Sequence, residues 1–146
     1  MRRVDLTEVE KKVVMMVARE KYEYSRDHHV DMKRMEDGLQ ADIDGMIGEV
    51  CFGKMFNYFV NLSARKADAD FYTKDGKSID VKSTRYKTGR LVATIHKKKS
   101  PCDLYVLMVI DDEGGWYKGY VSKEELFRDE NIKDLGHGPT YVYEIR

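Results

Sequence analysis

The chain has no apolar run approaching the roughly 20 residues that span a bilayer, which excludes a helical membrane protein and predicts a soluble one. Its N-terminus, MRRVDLTEVEKKVVMM, carries two arginines but then interleaves charges with apolar residues. It therefore lacks the unbroken apolar core of a secretion signal, and a cytoplasmic location is expected. Cysteine is scarce: Cys51 and Cys102 lie far apart and match no zinc spacing, so two small buried thiols in a reduced chain are expected. Internal repeats, low-complexity tracts and linkers are also missing. At 146 residues, the chain is long enough to bury a core without disulfide or metal staples, and one domain is expected.

Net charge is absent too, with 26 basic residues against 26 acidic ones, but the balance is not local. Between Lys74 and Lys99 stand Lys74, Lys77, Lys82, Arg85, Lys87, Arg90, Lys97, Lys98 and Lys99, opposed only by Asp75 and Asp80; nine minus two gives +7. Such a segment in a neutral chain suits a polyanion on one side of the fold, or a solvated lysine-rich loop.

Leu6, Val9, Val13, Met16 and Val17 recur at helical spacing, and Thr7 with Glu10 forms a capping-box pattern, so a helix should begin near Thr7. Residues 25–40 turn polar and irregular, as in a surface loop or short helix. His28 and His29 there sit beside aspartates, but adjacent side chains seldom point at one ion, and a solvated loop is the simpler reading. A second helix is predicted over 42–60. Strands are predicted over 68–73, 78–84, 91–96, 104–111 and 116–121, with Asp75-Gly76 as a hairpin turn and Gly114-Gly115 as a separator. SKEELF, with Ser122 and Glu125, reads as a capped short helix, and TYVYEIR as a last strand. This order predicts an α/β domain with one mixed sheet and helices packed on it.

An acidic residue two before a lysine is a weak motif here, because Glu10/Lys12, Asp31/Lys33 and Asp75/Lys77 share it. Asp80 and Lys82 differ in lying inside a β-branched run, where the period of two sends both to one face and Ile79 and Val81 to the other. An ordinary half-exposed strand would look the same. Asp70, however, lies across the predicted hairpin from Asp80, and two carboxylates brought together repel unless a proton or a metal separates them. Glu49 shares a helix face with Gly45, Met46, Phe52, Gly53 and Phe56, so it sits in or beside a stripe that should dock on the sheet, where a carboxylate needs a partner. Gly45, Gly48 and Gly53 would allow that helix to approach closely.

Glu49 on an early helix, Asp70 at the start of a hairpin, IDVK on its return strand, CDLYVLMVI and GWYKGYVSKEEL together resemble the PD-(D/E)xK nuclease superfamily, over about residues 45–126. The superfamily's proline before the first aspartate is replaced by Ala69, which leaves Asp68 as a rival to Asp70. The resemblance implies a restriction endonuclease-like α/β fold over residues 1–146, with a central mixed sheet of about five strands flanked by helices. It also implies a Mg²⁺-dependent nuclease acting on DNA, with Mn²⁺ as a substitute ion. Asp70, Asp80 and the Val81 carbonyl would be metal ligands, Glu49 would hold a metal-bound water or a second ion, and Lys82 would act beside them. Ser83, Thr84, Arg85, Lys87, Arg90, Lys97, Lys98 and Lys99 are candidate contacts to the nucleic-acid backbone. The expected activity is endonucleolytic, from a possible homodimer. A structure-selective junction or flap resolvase, and a non-catalytic nucleic-acid-binding protein of the same fold, are the alternatives.

Overall fold

The computed structural model describes residues 2–27, 38–65 and 67–145. The described residues are α/β. A mixed five-stranded sheet runs in the order β1 (Arg3–Asp5), β6 (Gly114–Ser122), β5 (Leu104–Asp111), β3 (Ser78–Thr84), β2 (Phe71–Tyr72), with β3 and β5 parallel and the other neighbours antiparallel. A second, three-stranded sheet pairs β4 (Leu91–Thr94), β8 (Pro139–Tyr143) and β7 (Ile132–Asp134). The expected single sheet is therefore two. β3 already has β2 on one edge and β5 on the other, so β4 finds its partner in β8 instead.

Helix α1 (Glu8–Asp27) starts where the sequence places it. Thr7 N–H donates to Glu10 Oε1 at 2.7 Å and Glu10 N–H donates to Thr7 Oγ1 at 3.1 Å, the reciprocal pair of a capping box. Its buried stripe is the expected one in part: Leu6 and Val17 are buried and Val13 packs on the core, but Val14 and Ala18 take the places of Val9 and Met16, which are exposed. Helix α2 (Gly38–Phe56) begins earlier than expected and ends earlier. Asn57 takes a left-handed φ of 61°, and Tyr58 N–H closes back on the Gly53 carbonyl at 2.8 Å, a Schellman ending that stops the helix before Val60. Of the segment expected to be a loop, residues 25–27 finish α1 and 38–40 open α2; His28, His29 and the Asp31/Lys33 pair lie outside the described residues. No described helix is long and apolar enough to cross a membrane.

Strand β5 is buried on both sides, which is why it reads as a continuous apolar run. Val106, Met108 and Ile110 join Ile79, Val81, Phe71 and the buried faces of α1 and α2 in one core. Tyr105 and Leu107 join Leu91, Ala93, Val121, Leu126, Phe127 and Tyr141 in a second. Helix α2 comes close to β3 at Gly48, where an added Cβ would lie 1.9 Å from Ser83 Oγ.

The Asp75-Gly76 turn forms as expected, with Gly76 at φ 87° and Thr73 N–H donating to the Lys77 carbonyl at 2.8 Å. Gly114-Gly115 is no separator. Both lie inside β6, the turn being Asp112-Glu113, and a Cβ on Gly114 would stand 2.1 Å from the Val4 carbonyl oxygen of β1. The short helix α3 (Lys123–Leu126) carries its expected cap, Ser122 Oγ accepting from Glu125 N–H.

Candidate active site

The hairpin register sets the site. Phe71 pairs with Ile79 and Tyr72 with Ser78, so the next step places Asp70 opposite Asp80. β2 is only two residues long, and the sheet edge is open beyond it. Asp80 and Lys82 pair with Tyr105 and Leu107 of β5, which places them on the face of the second core, while Ile79 and Val81 pack towards the helices. The charged face is thus covered rather than bathed in water, and Asp80 is only 9% exposed. Glu49, also 9% exposed, approaches from α2 on the opposite face. The carboxyls meet at the open edge.

Asp70 Oδ2 accepts a hydrogen bond from Val81 N–H at 2.8 Å, while Asp68 engages only through its carbonyl, which accepts from the Cys102 thiol at 3.6 Å. That geometry favours Asp70 over Asp68. Burial, then the neighbouring Glu49 and Asp80 charges, push Asp70 up to about 8. Burial likewise raises Glu49, against the pull of Lys21. Asp70 lowers Glu49, whereas the Glu49 and Asp80 charges raise Asp70, so Asp70 is the carboxyl poised to hold a proton.

Three lysines stand beside two of the carboxyls. Lys82 Nζ stands 3.3 Å from Asp80 Oδ2, Lys97 Nζ stands 3.9 Å from the same oxygen, and Lys21 Nζ stands 3.8 Å from Glu49 Oε2. Glu49, Asp70 and Asp80 open into a cleft of about 520 Å³, walled by Lys21, Tyr24 and Ser25 of α1, by Asp42 of α2, by residues 61, 63–65 and 67–69, and by Lys97. Lys82 is not among the residues that line it.

The other predicted backbone contacts go elsewhere. Ser83 turns towards α2, its hydroxyl buried against Gly48 without a hydrogen-bond partner, which removes it from any nucleic-acid surface. Thr84 Oγ1 accepts from Tyr86 N–H at 3.2 Å. Arg85 is held by Asp44 and Asp112, each at 2.8 Å, so its charge is already spoken for. Lys87 lies over the Trp116 ring at 5.7 Å, and Lys98 stands 3.8 Å from Asp129. Arg90 and Lys99 are exposed and are not among the lining residues. Of the eight, Lys97 alone lines the cleft.

Lys21 is the site residue that sequence reading missed. It follows Val14, Val17 and Ala18 at spacings of seven, four and three, so it continues the buried stripe of α1. A lysine four residues after Val17 on an apolar stripe was the available sign.

Among the described residues, no three or more His, Cys, Asp or Glu side chains stand ready-made as a metal cage. By donor chemistry the carboxyls fit a hard divalent cation: they offer oxygen atoms only, and their mutual repulsion, now relieved by a proton, would be relieved by an ion instead.

A family description, the family of unknown function DUF5843, matches residues 2–114. The chain belongs to DUF5843. The DUF5843 match contains Lys21, Glu49, Asp70, Asp80, Lys82 and Lys97, and stops short of most of β6 and all of β7 and β8. No curated protein matches the chain.

Proposed function

We propose that this DUF5843 chain is a Mg²⁺-dependent nuclease of restriction endonuclease-like fold that hydrolyses phosphodiester bonds in DNA as an endonuclease. The observation that carries the reading is the meeting of Glu49, Asp70 and Asp80 at an open sheet edge, with Lys82 3.3 Å from Asp80. A domain gains no stability by gathering three carboxyls in a partly buried place. Binding a polyanion gains nothing from them either, which counts against a purely binding role.

Asp70 and Asp80 would hold the ion, together with the carbonyl of Val81. The Val81 N–H points to the β2 side of β3, and in an extended strand the carbonyl of a residue points the same way as its N–H. When bound, Mg²⁺ supplies a Lewis acid for the phosphoryl oxygen and a water of lowered pKa. Glu49 would accept a hydrogen bond from such a water, and Lys82 and Lys97 would balance charge on the phosphoryl oxygens.

The test is incubation of the purified chain with single-stranded, duplex and branched DNA in Mg²⁺ or Mn²⁺, beside Asp80→Ala and Lys82→Ala. Cleavage by the wild type, reduced at least about a hundredfold in both variants, is expected. Equal cleavage by all three sinks the assigned site, and cleavage by none sinks the nuclease reading. Preference for the branched substrate would identify a structure-selective resolvase.

A further inference from the structure

We infer that the cleft takes a single nucleic-acid strand, with one backbone phosphate held between Lys21 of α1 and Lys97. This deepens the nuclease reading and rests on it for the identity of the ligand. Three observations point this way. First, Lys21 and Lys97 stand on different walls of the cleft, each within 4 Å of a different carboxylate, Glu49 or Asp80. The cleft is lined by the carboxyls of Asp42, Glu49, Asp68, Asp70 and Asp80 against Lys21, Arg65 and Lys97, so a divalent cation taken up by the carboxyls would release Lys21 and Lys97 from Glu49 and Asp80 and leave them available to an anion.

Second, the carboxyls are recessed. Glu49 and Asp80 are each 9% exposed, at the floor of a space of about 520 Å³. That is the size of pocket that encloses one small-molecule-sized group. A backbone reaching the floor between α1 and the wall that holds Asn61, Ser63 and Arg65 must leave its complementary strand behind, an expense that single-stranded substrate does not incur.

Third, two of the basic residues just beyond the site are already engaged within the fold. Arg85 is occupied by Asp44 and Asp112, and Lys87 lies over Trp116. Inside the cleft, Ser25, Asn61, Ser63 and Arg65 add hydrogen-bonding groups along the walls, and Tyr24 adds a ring. Basic groups with polar and aromatic neighbours in a groove are what binding to a single strand uses.

The experiment measures fluorescence anisotropy of a short labelled oligo-dT and of a matching duplex, in Ca²⁺, across a series of salt concentrations. Lys21→Met, Lys97→Met and the corresponding arginine variants are compared with wild type. Expected are single-strand binding at least about tenfold tighter than duplex binding, and a loss of about tenfold in each Met variant. Each Met variant should also lower the salt slope by about 0.7, one phosphate contact on a single strand, with recovery in the arginine variants. A merely structural lysine would not move the slope. Should Lys21→Met fail to fold, Lys21→Gln carries the same slope test. Duplex bound as tightly as single strand, no binding of either, or unchanged slopes in both lysine variants overturns the inference. A parallel cleavage assay in Mg²⁺ separates the two ideas. Single-strand binding with the expected slopes but no cleavage removes the nuclease and leaves the clamp. Cleavage of duplex, unaffected by either lysine, removes the clamp and leaves the nuclease.

Discussion

The backbone N–H of Val81 donates to Asp70 Oδ2 at 2.8 Å, so the carboxyl opposite Asp80 is tied to the very strand that carries Asp80. Proximity is therefore enforced by the hairpin, and a proton held on Asp70 up to about pH 8 relieves the repulsion.

That protonation has a direction. An unfolded aspartate titrates near about 3.9, so between there and about 8 the folded chain holds a proton that the unfolded chain has released. Stability from this group is full below the unfolded value and is lost as pH rises through the folded one. Urea unfolding in EDTA from acid to alkaline pH should show a midpoint that falls for wild type across that window, with a loss of up to about 1.4 kcal/mol for each pH unit crossed, and a flatter curve for Asp70→Asn. Parallel curves would refute the assignment. Divalent ions compete with that proton, so ion binding measured by calorimetry should tighten as pH rises.

Gly48 is pressed against Ser83, with an added Cβ falling 1.9 Å from Oγ and 3.2 Å from Cβ. Gly48→Ala should cost about 1–3 kcal/mol by overpacking. Ser83→Ala, which removes a buried hydroxyl lacking a partner, should be neutral or stabilising, and should recover part of the loss in the double variant. Thermal midpoints of the two singles and the double decide it; strictly additive shifts would mean the two groups do not meet.

Arg85 joins the start of α2, the end of β3 and the β5–β6 turn through Asp44 and Asp112. It is partly exposed, so Arg85→Ala should cost no more than about 1 kcal/mol. Oligonucleotide affinity should not change. A tenfold loss of affinity, beyond about 1.4 kcal/mol, would return Arg85 to the binding surface.

Tyr105 is fully buried in the second core, and its hydroxyl accepts from Cys102 N–H at 3.1 Å. Tyr105→Phe leaves that donor without its partner, and chemical denaturation should register a loss of about 1–3 kcal/mol. No loss would mean that water or another acceptor replaces the hydroxyl.

β3 and β5 were legible to the residue because each carries a run of β-branched or large apolar side chains bounded by turn residues. Asp70, Asp80 and Glu49 were legible because a carboxyl in an apolar pattern demands a partner. β1 was not: Arg3–Asp5 is three residues long, two of them charged, and its place follows from backbone pairing with Gly114–Trp116. β7 is exposed throughout and has no alternation to read. Leu91–Thr94 was visible as a strand, but its sheet was not, because strand partners depend on which edges earlier strands leave open. Two positions of the α1 stripe were read wrongly; Val9 and Met16 are as apolar as Val14 and Ala18, and only packing tells them apart.

The brevity of β2 has a second consequence. A sheet edge presents N–H and C=O groups on which another chain can grow a strand. Here the pairing stops after Phe71–Tyr72, and the next position along that edge is Asp70 beside Asp80 and Glu49. A foreign strand extending the sheet would have to bury those carboxyls and strip the remaining water from them. The acidic group at this edge therefore guards the fold against sheet-to-sheet aggregation, and neutralising it, by acid or by the Asn and Ala substitutions that test it, should lower the solubility of the chain before it lowers its stability.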